Sequence, residues 1–353
     1  MKKSVIIFFS FISILVNAQS YNGPESVEFD FANNRWLIGN KNNGTVIARD
    51  MNGNFTSFVS GMTSGPYGIE ILGNTLYCCH NGGSIRGFDL TTGAQVFNLN
   101  LGASFLNGIC SDGVNNLFVT DFTAKKIYRV NVLNNSFTVF VTGLAKSPNG
   151  IIYEGANQRL VFVNWGASAP IQQVALSDSS VTTLITTTLS NIDGIAADAY
   201  GNYYVSTWGN NTIRRYSSNF TVGPTTVVTG LSSPADLFYN QQNDTLAIPN
   251  SGTLNNVVWV GFGSTLSTHA TPGDISVVKI FPSPTSGTFT IDCDFGVENV
   301  RVFDINGKKL IEKNYQDAQK QKILFESFLP NGNYLIEITG SEHHAIRQIN
   351  VEN

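Results

Sequence analysis

Six copies of a short phrase run through the first two thirds of the chain: Gly23-Pro-Glu-Ser-Val, Gly65-Pro-Tyr-Gly-Ile, Phe105-Leu-Asn-Gly-Ile, Ser147-Pro-Asn-Gly-Ile, Asn191-Ile-Asp-Gly-Ile and Ser233-Pro-Ala-Asp-Leu. Their third positions are Glu25, Tyr67, Asn107, Asn149, Asp193 and Ala235. Four of these, Glu25, Asn107, Asn149 and Asp193, are oxygen donors. If the fold gathers them, two carboxylates and two amides with no His or Cys suit a hard divalent cation, calcium first, better than zinc. Tyr67 and Ala235 leave two positions open for a substrate. Further along each copy stand Asn40, His80, Asp121, Asn164, Thr207 and Asn250, with Trp165 and Trp208 just beyond. An aromatic rim over a polar floor suits a small neutral ligand, so Tyr67, His80, Asn107, Asp121, Trp165 and Trp208 are candidate substrate contacts. The plainer role for the polar members is to satisfy turn backbone. His80 alone is no sign of acid–base chemistry.

The spacing between copies tells which elements must position these groups. Taken from Glu25 onward, the intervals are 42, 40, 42, 44 and 42 residues, the period of four-stranded propeller blades. Each copy carries short β-branched and aromatic runs broken by Asn, Gly, Asp or Ser turns, which excludes a helical solenoid. In the third copy the runs are 108–111, 116–121, 126–132 and 136–141. The expectation is an all-β chain, with a six-bladed β-propeller over residues 19–268. The innermost strands then line a central channel, and the six third positions form a ring at one mouth. Five residues on, Asp30, Asp112, Glu154 and Asp198 fall at the opposite end, where they would cap turns. The sixth copy has obvious strands only at 235–239, 245–248 and 256–262, which leaves the closure of the ring open.

Composition agrees with a β-rich globular protein: 42% hydrophobic, 13% charged, 33 Gly against 11 Pro. A net charge of −4, with no basic cluster beyond Lys2 and Lys3, lacks the footprint a phosphate backbone demands, so nucleic acid is not an expected partner. A monomer is expected. Residues 1–18 read as a signal peptide: two lysines, an apolar run over 5–16 too short to span a bilayer, then Val16-Asn17-Ala18 before cleavage. No later stretch is long enough for a transmembrane helix. Export permits disulfides, but adjacent Cys78 and Cys79 alternate faces, so at most one faces Cys110. Buried thiols are the expectation for these and for Cys293.

Residues 19–274 hold 26 charged side chains and the shorter stretch 275–353 holds 18, a density shift that marks a boundary after a linker at 269–274. The tail reads as short alternating strands with reversals at Pro284-Thr-Ser-Gly287, Asn306-Gly307 and Asn331-Gly332, hence a small β-sandwich. Val278-Lys-Ile-Phe-Pro-Ser-Pro-Thr-Ser-Gly287, Val300-Arg-Val-Phe-Asp-Ile-Asn-Gly-Lys308 and Leu329-Pro-Asn-Gly-Asn-Tyr-Leu335 resemble the three blocks of the C-terminal sorting domain of type IX secretion cargo. The resemblance implies a Bacteroidota-type source, a handle at 275–353 for the outer-membrane secretion machinery, and a protein released or held at the outer cell surface.

The first ring resembles that of the senescence-marker, gluconolactonase and luciferin-regenerating enzymes, six-bladed propellers with one divalent cation in the channel. Glu25, Asn149 and Asp193 match the family's three ligands by position, and Asn107 its substrate-side asparagine. The resemblance implies a metal-dependent lactonase or ester hydrolase, in which the cation polarises the carbonyl and Asp193 takes a proton from attacking water. Two departures stand out: Phe105 occupies the place of the family's substrate-binding arginine, and Glu25 follows its Gly-Pro instead of preceding it. Propellers of the NHL type share the Pro-x-Gly-Ile phrase. The alternative is therefore a non-catalytic extracellular propeller that binds a ligand or a protein.

Overall fold

The computed structural model describes residues 20–262, apart from 64, 81 and 222, and residues 278–352, apart from 283–284, 305–307, 316–319 and 341–343. The expected leader at 1–18, the linker at 269–274 and the Asn306-Gly307 reversal lie outside the described residues. Apart from one short 3-10 turn at Gly155–Asn157, every described element is a β-strand.

Five sheets of four antiparallel strands follow one another, each a simple meander from the innermost strand outward. Blade one is Pro24–Asp30, Arg35–Asn40, Thr45–Asp50 and Phe55–Val59; blade two starts at Ile69–Leu72, blade three at Leu106–Ser111, blade four at Pro148–Glu154 and blade five at Ile192–Ala197. Blade six has three strands, Phe238–Asn240, Thr245–Asn250 and Asn256–Gly261. The chain is thus a six-bladed β-propeller followed by a small sandwich.

Each blade has two apolar faces and buries both against its neighbours. Leu37, Val46 and Val59 of blade one pack on Ile69, Leu76 and Phe88 of blade two. Cys110, Phe118 and Ile127 of blade three meet Ile151, Leu160 and Phe162 of blade four in the same way. Stacking removes from water the faces that an isolated sheet would expose. Cys78, Cys79, Cys110 and Cys293 are all buried and none is in a disulfide, and burial pushes the Cys78, Cys79 and Cys110 thiols up.

Where the ring meets itself, the sheets of blades one and six stay separate among the described residues. A single parallel bridge joins Ser26 to Asp236, whose N–H donates to Glu25 O at 2.9 Å. Asn255 clamps the same seam: its Oδ1 accepts Gly23 N–H at 2.7 Å and its Nδ2 donates to Tyr21 O at 3.0 Å. Trp36 and Trp259 pack across it with ring centroids 4.7 Å apart.

The recurring glycine of the phrase has a steric reason. A Cβ on Gly68 would lie 2.3 Å from Asn107 O, and one on Gly108 would lie 2.4 Å from Asn149 O. On Gly150 it would sit 2.8 Å from Asp193 O, and on Gly194 2.7 Å from Asp236 Cα. Inner strands therefore approach backbone to backbone. Hydroxyls stitch them: Gly108 N–H donates to Thr120 Oγ1 at 2.8 Å, which donates to Asn149 O at 2.9 Å. Ser206 Oγ likewise links Gly194 N–H to Ala235 O, at 2.7 and 2.8 Å. At the far end Asp112 Oδ1 accepts three backbone N–H groups, each at 2.9 Å, and Asp198 caps Tyr200 and Asn202. Glu154 instead holds Arg159 at 2.6 Å.

The tail pairs a three-stranded sheet, Val278–Phe281, Thr288–Gly296 and Lys320–Glu326, with a four-stranded one ordered Lys309–Asn314, Asn299–Asp304, Gly332–Thr339 and His344–Val351. Phe289, Ile291 and Phe325 of the first share a core with Val300, Val302, Ile336 and Ile338 of the second.

Gly108→Ala tests the close approach. The group in the way is backbone of the next blade, so unfolding in urea should show a loss of about 3 kcal/mol. Gly102→Ala, where a Cβ meets nothing within 4 Å and only the positive φ of 63° is strained, should lose about 1 kcal/mol. Equal losses would mean that the blades do not depend on this contact.

Candidate functional site

The antiparallel register sets the start of each inner strand beside the end of the second: Pro24 pairs with Asn40, Leu106 with Asp121, Pro148 with Asn164 and Ile192 with Thr207. Both sets of sequence-derived positions therefore share one end of the propeller. Glu25, Asn107, Asn149 and Asp193 are 4%, 7%, 1% and 3% exposed, the floor of the mouth. Glu25 and Asp193 are near enough to repel one another, and Asn149 hydrogen-bonds the Asp193 carboxyl. Asn149 Oδ1 is buried with no partner among the described residues. Ala235 is fully buried and Tyr67 half-buried.

The second set does mainly structural work. Asp121 accepts backbone N–H groups from Ser104, Phe105 and Ala124 at 2.8, 3.1 and 2.9 Å, so both its oxygens hold loops in place. Asn40 accepts Asn22 N–H and Asn250 accepts Ser232 N–H, each at 3.0 Å. His80 is buried at the end of its strand.

One residue further on lies a ring that the two tryptophans only hinted at: Lys41, Phe122, Trp165, Trp208 and Ser251, with Asn81 outside the described residues. Lys41 Nζ donates to Glu25 Oε2 at 2.7 Å, and Ser251 Oγ donates to the same oxygen at 2.5 Å. The Lys41 ammonium also lies 5.5 Å from the centroid of the Trp208 ring. From there the aromatics run on edge to face: Trp208 to Trp165 at 5.2 Å, Trp165 to Phe122 at 5.9 Å, Phe122 to Phe105 at 5.8 Å and Phe105 to Tyr67 at 4.6 Å. All five are half-buried. Trp208 Nε1 has no acceptor among the described residues. Counting one residue past every second strand, and not only where tryptophan stands, would have found Lys41, Phe122 and Ser251.

Around the inner strands stand three more carboxyls that the motifs did not single out: Glu28 and Glu70 on the strands of blades one and two, and Asp236 just before that of blade six. Burial pushes Asp193 well above the usual carboxylate range, and the Glu25 and Asp236 charges push it further, against the opposing pull of Lys41 and Asn149. Asp236 rises to about 8 through burial and the charges of Glu25 and Glu70. Glu28 rises through burial, Glu70 and Asp236. Among the described residues no three His, Cys, Asp or Glu side chains gather as a metal-holding group. The four-donor floor has only two such residues, so its own chemistry is oxygen from two acids and two amides. These fit a hard cation in kind, but one carboxylate is already engaged by an ammonium.

Comparison with known proteins places the two units. A family model for a secretion system C-terminal sorting domain matches residues 279–352. No curated protein matches the chain. Among solved structures, the chain resembles one titled as a nidogen/laminin complex, with 14% identity and a TM-score of 0.52 over 63% of this chain and 91% of that one. It also resembles the Cps50 (Swd1) β-propeller domain from Myceliophteria thermophila, with 10% identity and a TM-score of 0.52 over 70% and 99%. At such identities the likeness is one of fold: a β-propeller. The sorting domain marks the chain for secretion or the outer surface. No helix among the described residues is long and apolar enough to cross a membrane.

Glu70 gives the channel acids a measurable consequence. Its carboxyl accepts Ser111 Oγ at 2.6 Å and Ser111 N at 3.1 Å, yet burial outweighs both bonds and lifts it from 4.5 to about 7. The folded state thus holds a proton that the unfolded chain releases near 4.5. Its stabilisation is full below that value and is lost as pH rises through about 7. Glu70→Gln retains an acceptor for Ser111 without titrating, so urea midpoints measured from about pH 4 to about pH 8 should fall less steeply than in the wild type. An unchanged slope would show that folding does not shift Glu70 from its ordinary value.

Proposed function

We propose that the chain is a secreted binding module, a propeller that leaves the cell through its sorting domain and takes a small organic ligand at the channel mouth. The observation that carries this reading is the arc of Tyr67, Phe105, Phe122, Trp165 and Trp208, drawn from four successive blades and set over a buried polar floor. Contiguous half-exposed aromatics cost hydration unless something covers them, and their faces suit a ring or an alkyl chain. On this reading the leader at 1–18 carries the chain through the first membrane and 275–353 through the second. Removal of 275–353 should leave a folded propeller in the periplasm, detected by cell fractionation, because the sandwich has its own core. Arrival of the truncated chain in the medium would refute the sorting role.

A second reading, a calcium-dependent lactonase, draws on the unpartnered Asn149 Oδ1. Glu25, Asn107, Asn149 and Asp193 would hold the ion, which would polarise an ester carbonyl when bound. Asp193 would then lose its proton to the ion's field and serve as base. Lys41 weighs against it, since a divalent ion must first displace the ammonium from Glu25. Purified protein supplied with calcium is expected to leave aliphatic and sugar lactones unhydrolysed. Turnover that drops by about 10² to 10⁴ in Asp193→Asn would instead establish the hydrolase.

A further inference from the structure

The mouth already contains a bound cation, and it belongs to the chain. Lys41 Nζ makes the two contacts by which proteins recognise an organic ammonium: a carboxylate, Glu25, at 2.7 Å, and an aromatic ring, Trp208, at 5.5 Å. From this we infer that the channel mouth is a receptor for alkylammonium ligands, with Lys41 as a tethered occupant that the ligand displaces. The inference rests on the binding reading above and names its ligand class.

Three further observations support it. The ionisable groups around the floor, Lys41 apart, are all acids: Glu25 and Asp193 at the mouth, Asp236, which the Glu25 charge raises and which raises Asp193 in turn, with Glu28 and Glu70 behind. Lys41 is the cation whose field offsets Asp193. With Lys41 swung out, Glu25 would be a buried carboxylate without its counter-charge; a neutral ligand would leave it so, whereas an ammonium restores the pair. Asn149 Oδ1, an acceptor in a residue only 1% exposed, has no donor among the described residues, and an ammonium carries three N–H groups to share among Glu25, Asp193 and such an amide. The arc of five aromatics continues from Trp208 away from the ammonium seat, which gives an attached alkyl chain or ring a surface to lie on.

The seat can be vacated without moving a strand. Lys41 is the first residue beyond Arg35–Asn40, its side chain is 23% exposed, and its ammonium hangs on four rotatable methylenes. Apparent affinity for an external ammonium is therefore the intrinsic affinity reduced to the fraction of molecules whose lysine has swung out.

Calorimetric titration of the full chain with cadaverine, calcium and the neutral disaccharide cellobiose tests this. Cadaverine is expected to bind saturably. Lys41→Met, which keeps the chain length and removes the competing charge, should bind it at least about tenfold more tightly. Glu25→Gln and Trp208→Ala should each weaken it by about tenfold or more. As a readout free of variants, reductive methylation of Lys41, with reagent in large excess over the amines of protein and cadaverine together and followed by peptide mass spectrometry, should speed up relative to the other lysines when cadaverine lifts the amine off Glu25. Binding of cellobiose with none of cadaverine would keep the binding module and overturn the cation receptor. Calcium binding accompanied by lactone turnover would overturn both. Cadaverine affinity equal in wild type, Lys41→Met and Glu25→Gln would locate the amine elsewhere and end the proposal.

Discussion

Four glycines, Gly68, Gly108, Gly150 and Gly194, let the innermost strands of five successive blades come within contact distance of one another's backbone. The diameter of the channel follows from that approach, and with it the spacing of every side chain at the mouth. A methyl group at any of these positions would push neighbouring blades apart around the ring, and a wider ring would separate Glu25 from Asp193 and Trp165 from Trp208. The hydroxyls of Thr120 and Ser206 complete the arrangement, since each satisfies an N–H of one blade and a carbonyl of the next. The repeated phrase is thus a packing rule before it is a functional one. Its variable third position is where chemistry has room to differ.

The same close packing explains the electrostatics. Five carboxyls brought into one narrow channel cannot all be ionised cheaply, because burial and mutual repulsion both favour the proton. Only Glu25 has an ammonium and a hydroxyl on its carboxylate. That pairing divides the channel into a compensated mouth and a protonated interior. Charge-bearing function is therefore confined to the mouth, where a change of partner on one carboxylate alters the field on Asp193.

The architecture was legible because sheet stacking imposes a length. Blades of four strands need about 42 residues, and the intervals between copies of the phrase reported that directly. Strand positions in blade three were readable almost to the residue, and the turn-capping duties of Asp112 and Asp198 followed from strand length. The site was less legible. Glu25, Asn107, Asn149 and Asp193 were placed in one ring by counting, but whether their charges are met by an ion or by a side chain depends on a contact between Glu25 and Lys41, 16 residues apart, one on a strand and the other just past the next. Glu28, Glu70 and Asp236 were hidden for a different reason. Glu28 and Glu70 share one position, three residues past Glu25 and Tyr67, but the other four copies carry Cys110, Ile152, Ala196 and Phe238 there and Asp236 stands one past Ala235, so no ring of acids shows in the repeat and only the convergence of inner strands brings the three together.

The seam between blades one and six has a further consequence, for time rather than for affinity. Gly23 and Asn255 are 232 residues apart in sequence, and Glu25 and Ser251 are 226 apart, while the seam has one bridge where a shared strand would have supplied many. Contacts of such separation form late, since nearly the whole propeller must be present before either end has a partner. With so few backbone bonds, the seam is held chiefly by side chains, Asn255 and the Trp36–Trp259 pair among them. Because Ser251 and Glu25 face each other across it, each opening would also loosen the grip on Lys41. Opening of the circle is thus a second way, beside rotation of the lysine's own methylenes, for that ammonium to leave its seat.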